Sequence, residues 1–270
     1  MVNKLWTPVH LSDHYYDPNR DYCGFYVVST IELPTFGPTA ELIKIFDEKG
    51  VILVTITSHH EEGLVKDFVI ADLTGKANIR DELERTIRAK FGKKLLLLES
   101  TDTGIPGFIY NVRGFPLVFN FSDEYIQAAA LSADSWKTLL RGTLQRFGSN
   151  GLIILWFMGD DAGENEAKLV MRLKNVSTCP DRIKIALARL QSFGWGRFEL
   201  TECEPDGNRV VIRVYDNFED TIAKDIENYQ NSFLRGYLVG FISVLFCRAC
   251  RGVEEKCITR GDEYCEFVIR

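Results

Sequence analysis

The sequence predicts an α+β protein of 270 residues that is built from two domains. Between residues 25 and 99, strand-like and helix-like patterns alternate in the order βαββαβ. Residues 100–116 are rich in glycine and proline, which is typical of a connecting segment. The rest of the chain shows several helical patterns and two hairpins, and it ends in a group of cysteines with a carboxylate. Together these observations predict one domain at 22–100 and another at 115–270.

The elements of the first domain follow from local patterns. Runs of β-branched and aromatic residues predict strands, and apolar residues at helical spacing predict helices. Gly50 and Gly92 are stop signals for the two helices, and Asn78 is a candidate N-cap for the second helix. The predicted elements are strand 25–31, helix 38–46, strands 51–56 and 66–71, helix 79–91 and strand 94–99. This order is the split βαβ, or ferredoxin-like, arrangement.

The segment 33–53 resembles the opening of ACT domains, which are small regulatory modules that often bind amino acids between paired copies. In that family a glycine in the loop before the first helix lets a ligand approach the backbone amides at the helix N-terminus. Gly37 stands at about that position, although the usual Asp-Arg-Pro-Gly motif of the family is absent. The resemblance implies an ACT-like fold and a homodimer.

The second domain is predicted from a different succession of patterns, in which helices come first and hairpins follow. One hairpin turn is expected at 204–207, and a second is expected around Gly261. The predicted elements are strand 117–121, helices 135–147, 152–173 and 180–193, strands 195–203 and 209–215, helix 222–246, and strands 251–256 and 265–269.

The last 21 residues hold the most specific chemical pattern, because Cys250, Glu254, Cys257 and Cys265 fall within sixteen positions of a chain with seven cysteines. Thiolate sulfur and carboxylate oxygen are good ligands for Zn²⁺, and a tetrahedral site needs four such groups. Cys247 forms a CxxC pair with Cys250, which leaves an all-cysteine zinc site or a redox couple as alternatives. Buried thiols that act as small apolar side chains are the remaining interpretation.

The run 233–246, together with 253–257 and 260–268, resembles the C-terminal half of a 4-vinyl reductase domain. That family includes archaeal proteins called hydrocarbon-binding, a bacteriochlorophyll-pathway protein, and the phenol- and xylene-sensing part of bacterial enhancer-dependent activators. Its fold resembles subunits of the TRAPP vesicle-tethering complex. The resemblance implies a 4-vinyl-reductase-like or TRAPP-like α+β domain.

In the phenol sensors of this family, the zinc site is a cysteine on the preceding helix followed by E-x-x-C-x7-C. Glu254, Cys257 and Cys265 match the last three positions, whereas Asn231 stands where the helix cysteine would be. The resemblance therefore implies a closed, structural zinc site. Its fourth ligand is predicted to be Cys250, with Cys247 or Asn231 as alternatives.

Aromatic residues fall on elements of the second domain that should converge. Apolar ligand pockets are built from such residues, although aromatic stripes at helical spacing are also what an ordinary core contains. The family resemblance implies that some of them line a cavity for a small apolar or aromatic ligand. The candidate ligand-binding residues are Trp156, Trp195, Tyr237 and Phe241.

Composition narrows the class of protein. With 46% hydrophobic and 26% charged residues, the chain is predicted to be globular and soluble. A formal net charge of −6 argues against direct binding to nucleic acid as the main function. The N-terminus lacks the pattern of a secretory signal, and the late apolar run 237–247 is too short to span a bilayer. An odd number of cysteines, clustered at one end, argues against a secreted disulfide framework, and so we predict a cytoplasmic protein.

The sequence offers no catalytic arrangement. The group His59-His60-Glu61-Glu62 falls in a predicted turn and is interpreted as exposed loop. We find no Ser-His-Asp order, no phosphate-cradling glycine loop, no H-E-x-x-H motif and no nicotinamide or flavin fingerprint. We predict a small-molecule-binding regulatory or sensor protein with an apolar ligand pocket and a structural zinc site. An enzyme or tetrapyrrole-handling protein of the 4-vinyl reductase type, or a TRAPP-like assembly module, is the alternative.

Overall fold

The structure is a computed structural model, and it describes residues 14–31, 37–121, 124–204, 208–226 and 229–270. The chain divides into two compact units, residues 1–119 and 120–270. Each unit combines helices with an open antiparallel sheet, so that the α+β class predicted from the sequence is confirmed.

The first unit contains a four-stranded antiparallel sheet with the strand order β3-β4-β2-β5. This order, with two helices inserted between strands, is the one expected for a split βαβ arrangement. A separate two-stranded ribbon pairs β1 with β6. The elements are β1 (His14–Tyr16), β2 (Tyr22–Thr30), α1 (Gly37–Glu48), β3 (Ile52–Glu61), β4 (Leu64–Asp72), α2 (Ile79–Phe91), β5 (Leu95–Thr101) and β6 (Phe108–Tyr110).

The core of the first unit lies between the sheet and the two helices, where Phe25 of β2 meets Phe46 of α1 edge to face at a ring-centroid distance of 5.2 Å. Asn78 precedes α2, but its side chain makes no capping hydrogen bond because its backbone is left-handed (φ 59°). The Gly/Pro-rich stretch 100–116 contains β6, whose Ile109 is fully buried. The first unit is therefore wider than the range 22–100.

The second unit contains a four-stranded antiparallel sheet with the order β11-β12-β10-β9. A short ribbon of β7 and β8 lies where the chain passes from one unit to the next. The elements are β7 (Leu117–Phe121), β8 (Glu124–Ala128), α3 (Ala133–Phe147), α4 (Asn150–Met171), α5 (Cys179–Ser192), β9 (Arg197–Cys203), β10 (Val210–Tyr215), α6 (Phe218–Ala223), α7 (Ser232–Leu245), β11 (Gly252–Lys256) and β12 (Cys265–Ile269).

The predicted helix 222–246 is wrong as one continuous element, because the structure has two helices, α6 and α7, in this stretch. The new start at α7 is stabilised by the buried carboxylate of Glu219, which accepts hydrogen bonds from the backbone N–H groups of Phe233 (3.0 Å) and Leu234 (2.8 Å). A carboxylate at this position satisfies free amides and complements the helix dipole. The predicted turn at 204–207 falls largely on residues 205–207, which lie outside the described residues.

Helices α4 and α7 approach each other very closely. Gly159 and Gly163 of α4 face Gly236 and Gly240 of α7, and a Cβ atom at any of the four would lie 2.0–2.2 Å from a backbone oxygen of the other helix. Only glycine permits such an approach, as in helix pairs built on small residues four positions apart. This contact fixes α7 against α4. Among the described residues, no helix has the length and apolarity needed to cross a bilayer.

Candidate metal centre

Four side chains that carry metal-ligating atoms converge in the second unit. They are Asp220 of α6, Glu254 of β11, Cys257 just after β11 and Cys265 at the start of β12. One ligand atom from each residue lies within 4.8 Å of the others. A tetrahedral zinc ion binds sulfur at about 2.3 Å and oxygen at about 2.0 Å, so a single ion placed among these atoms is within reach of all four. Two sulfurs and two oxygens form a donor set that suits Zn²⁺.

The C-terminal hairpin positions three of these residues. β11 and β12 are antiparallel, and an irregularity in the pairing between Glu254 and Lys256 re-aims the end of β11. In the turn, the Asp262 carboxylate accepts the backbone N–H of Cys257 at 2.9 Å. Gly261 has φ +97°, a conformation that favours glycine. The hairpin thus brings the side chains of Cys257 and Cys265 close together.

Asp220 is a member of the group that sequence reasoning missed. It lies on α6, whose N-cap Asn217 accepts the backbone N–H of Glu219 at 3.1 Å through its side-chain oxygen. The Asn217 side-chain amide also donates to Asp220 (3.3 Å) and to the sulfur of Cys265 (3.7 Å). The Cys265 sulfur lies 2.7 Å from Asp220 Oδ2. The available signal was Asn217 with acids two and three positions later, which is typical of a helix start and therefore of a break in the predicted long helix.

Asn231 reaches the centre of the same group. Its Nδ2 lies 2.8 Å from Asp220 Oδ1 and 2.6 Å from Glu254 Oε1, and it lies 3.8 Å from the sulfurs of Cys257 and Cys265. The residue is 2% exposed, and its Oδ1 is buried and has no hydrogen-bond partner in the described part of the chain. Because the two ends of an amide have nearly the same shape, a half-turn of this group would direct an oxygen at the four ligand atoms. A buried polar atom without a partner fits a site made for an ion.

The electrostatics of the group also fit a cation. Burial raises the pKa of Glu254, Cys257 and Cys265, and for Cys265 the contact with Asp220 raises it further. Within the described parts of the chain, no lysine or arginine forms an ion pair with Asp220 or Glu254. Asp220 is buried and Glu254 is partly buried, and a carboxylate in such a place is costly in its ionised form unless a cation lies beside it. A divalent cation would reverse this, since it holds thiolates and carboxylates in the deprotonated state.

Cys250 and Cys247 lie outside the group. The backbone N–H of Cys250 donates to Ser243 Oγ at 3.1 Å, and its sulfur lies 3.7 Å from the carbonyl of Arg248. Cys247 is exposed and has a left-handed backbone (φ 52°). The structure thus brings together three of the four predicted ligands, with Asp220 beside them and Asn231 in contact.

The candidate ligand-binding aromatics lie on or beside the core of the second unit. Tyr237 and Phe241, one turn apart on α7, are 8% and 2% exposed, and burial raises the pKa of Tyr237. Trp195 stacks on Phe233 at a centroid distance of 5.1 Å and an angle of 14°. Trp156 of α4 is partly buried and meets its neighbour Phe157 edge to face at 5.2 Å. Tyr237 and Phe241 thus lie on α7, Trp156 lies on the adjacent helix α4, and Trp195, in the loop before β9, contacts α7 through Phe233.

Comparisons with known proteins place the chain among distant relatives. No family model matches it. An uncharacterized protein of Methanocaldococcus jannaschii is 23% identical over 123 residues, which is 46% of this chain and 66% of that protein. The match thus spans just under two thirds of the relative.

Three solved structures are similar in backbone. The phenol-responsive sensory domain of the transcription activator PoxR, with phenol, has a TM-score of 0.50 and 14% identity over 56% of this chain and 79% of that chain. A vinyl-4-reductase family protein of M. jannaschii scores 0.32 with 16% identity, over 54% and 98%. The ACT domain from the GTP pyrophosphokinase of Chlorobium tepidum scores 0.26 with 12% identity, over 30% and 99%. At these identities a likeness shows the fold alone, and of the three structures the PoxR domain, with its TM-score of 0.50, is the one that shows it.

Proposed function

We propose that this protein is a small-molecule-binding regulatory or sensor protein whose second unit is held together by a structural zinc ion. The observation that carries the proposal is the convergence of the buried side chains Asp220, Cys257 and Cys265 with the partly buried Glu254. The fold shared with a phenol-responsive sensory domain supports the sensor role. We propose in addition that the two units fold as separate domains.

The zinc ion would be structural, because its four ligands come from two parts of the second unit that are distant in the chain. Asp220 lies on α6 and the other three side chains lie on the hairpin, while Asn231, which contacts the group, adjoins the start of α7. An ion bound here would tie α6 and the hairpin to α7. The four protein ligands would close the coordination and leave no position for a reacting water, which is the pattern of structural sites. Binding energy at such a site is folding energy.

The metal proposal is tested by elemental analysis of the purified protein and of two serine variants. We expect close to one zinc per chain in the wild type and in Cys247→Ser, the matched control whose thiol is exposed. Cys265→Ser should lose the zinc and melt at a lower temperature. Wild-type protein that contains no metal after purification, takes up none when zinc is added, and melts unchanged in chelator would overturn the proposal.

The ligand would be a small apolar or aromatic molecule bound beside α7, against residues from the set Trp156, Trp195, Tyr237 and Phe241. Such a site needs a polar group that orients the ligand, and Tyr237 with Glu166 would supply it. Tyr237 is buried, and the carboxylate of Glu166 raises its pKa further; Glu166 in turn forms a 2.5 Å ion pair with Arg189. A ligand that carries one hydroxyl group would have the Tyr237 hydroxyl as a donor and the Glu166 carboxylate as an acceptor, next to aromatic side chains.

Thermal shift with phenol as the probe tests the ligand proposal. Phenol should raise the melting temperature in a concentration-dependent way, since a molecule that binds only the folded state stabilises it by RT ln(1 + [L]/Kd). Trp195→Ala and Tyr237→Ala should lose this shift and keep their zinc. Tyr215→Ala, on a tyrosine that donates to Glu199 at 3.1 Å, is the control that should keep both. A shift that survives in Trp195→Ala and Tyr237→Ala, or no shift at all with phenol and with a larger aromatic such as naphthol, would argue against this site.

A further inference from the structure

One face of α4 is apolar and exposed although the opposite face is packed. Residues Leu152 to Met158 form an unbroken run of seven apolar residues. Leu155 and Gly159 are buried, the latter against α7. On the other side, the side chains that remain exposed are Ile153 (54%), Ile154 (37%), Phe157 (56%) and Met158 (51%). We call these four residues the α4 face.

A helix that is apolar around its whole circumference is normally buried on all sides. The four positions are spaced i, i+1, i+4 and i+5, so they form one continuous stripe. At about 200 Å² for each full side chain, their exposed parts sum to roughly 400 Å² of apolar surface. Exposed patches of this size on soluble proteins mark interaction sites.

We infer that the α4 face binds the α4 face of a second copy of this chain, with the two helices antiparallel about a twofold axis. The stripe is symmetric about the point between residues 155 and 156. An antiparallel pair centred there sets Ile154 against Phe157 of the partner and Ile153 against Met158 of the partner. Each contact then occurs twice, as a twofold interface requires.

Charge complementarity at the ends of the stripe supports this arrangement. The same register sets Asp161 opposite Asn150, the first residue of α4 in the other copy. That helix N-terminus has no side-chain cap and no acid in its first turn. Asp161 is exposed, and within the described parts of the chain it takes part in no ion pair. A carboxylate at an uncapped helix N-terminus is stabilising, and the pair would form twice.

The area is of the right order for a dimer. A standard interface buries about 800 Å² on each partner, with an apolar centre and a polar rim. The α4 face would supply the centre. Phe147, which is 53% exposed at the end of α3, and Arg146 beside it lie just before α4 and are placed to extend the rim.

Sedimentation of the full-length protein tests the inference over a concentration series of about 1 to 100 µM. The wild type should dimerise. Phe157→Glu should raise the dimer dissociation constant by about 100-fold or more, because it buries a charge at the centre of the contact. Leu131→Glu, which alters an equally exposed leucine (54%) before α3, is the matched control and should leave the constant unchanged.

A second variant keeps the test decisive even if Phe157→Glu alters the fold. Asp161→Lys changes an exposed charge only, and it should raise the dissociation constant several-fold by placing a cation at the partner's helix N-terminus. Circular dichroism and zinc content should match the wild type in both variants. A wild type that stays monomeric throughout the series, or a Phe157→Glu protein that is folded and dimerises like the wild type, would overturn the inference.

Discussion

Gly159 of α4 lies directly against the backbone of Phe233 in α7, so that a Cβ atom at residue 159 would sit 2.0 Å from the Phe233 carbonyl oxygen. Phe233 is the second residue of α7, and its N–H is held by Glu219. This contact between the two helices thus fixes the start of α7, where Asn231 meets the candidate metal ligands. The first turn of α7 therefore links the glycine contact with α4 to the position of the candidate metal centre.

Gly159→Ala should therefore be strongly destabilising. The new methyl group cannot be accommodated by moving a side chain, since the atom that it meets is backbone. Overpacking in a core costs about 1–3 kcal/mol, and we expect a loss near or above the upper end, about 3 kcal/mol. The free energy of unfolding, measured in urea, checks this.

Gly142→Ala is the matched control. Gly142 is also helical, but a Cβ there would meet only the flexible end of Arg146, at 2.7 Å. Alanine in a helix interior is better than glycine by about 0.5–1 kcal/mol, so this variant should be neutral or more stable. If the two substitutions change the free energy of unfolding equally, the close contact between Gly159 and Phe233 does not contribute to stability in the way predicted.

Asp220→Asn should weaken zinc binding. The substitution keeps the size of the side chain and removes the charge, and we expect the zinc dissociation constant to rise by about tenfold or more, since even outer partners of a metal site contribute that much. Competition with a chromophoric chelator measures the constant. Asp225→Asn, on an aspartate that is 63% exposed and paired with Lys137, should bind zinc as the wild type does. Retention of wild-type affinity in Asp220→Asn would remove Asp220 from the ligand set.

Asp67 should give the first unit a pH-dependent stability. It is fully buried, and Thr39 donates to its Oδ1 at 2.8 Å, whereas its Oδ2 has no hydrogen-bond partner among the residues that the structure describes. Burial raises the pKa of Asp67 above its ordinary value of 3.8. The folded state then binds the proton more tightly than the unfolded chain does. The contribution of Asp67 to the unfolding free energy therefore falls as pH rises from 3.8 through the raised folded value.

Asp67→Asn removes this titration and retains an acceptor for Thr39. The variant should gain stability relative to the wild type as pH rises through that window and keep a constant difference above it. Urea unfolding at a series of pH values from about 4 to 8 measures the difference. Asp47→Asn, at an exposed position on α1, is the control and should follow the wild-type curve. A difference between Asp67→Asn and the wild type that does not change with pH would contradict the prediction.

Limited proteolysis tests the prediction that the two units are independent domains. The first internal cut should fall at residues 111–118, where Phe115 is 85% exposed, and not at β6, where Ile109 is fully buried. Cleavage needs an exposed backbone with few protecting contacts. Chymotrypsin with mass spectrometry locates the cut, and circular dichroism shows whether both fragments stay folded. A first cut inside either sheet, or fragments that unfold when separated, would count against separate domains.

The sequence by itself determined most of the local elements and three of the four side chains of the candidate site. Alternation and helical spacing are properties of short segments, and so the order βαββαβ and the hairpin that carries Glu254, Cys257 and Cys265 could be predicted from neighbouring residues. The apolar run in α4 was also visible, but its division into a packed face and an exposed face was not. That division depends on which helix lies against it.

Only the tertiary structure decided the rest of the site. Helical spacing across 222–246 concealed the break between α6 and α7, because propensity is a weak signal and the break depends on a buried carboxylate, Glu219, that reaches the start of α7 from the preceding helix. With that break, Asp220 and Asn231 meet Glu254. Contacts between residues so far apart in the chain are set by the packing of whole elements, here by glycines that let α4 and α7 touch. Each helix carries two glycines four positions apart, a local pattern that permits such an approach, but which helix each one meets is set by the tertiary structure.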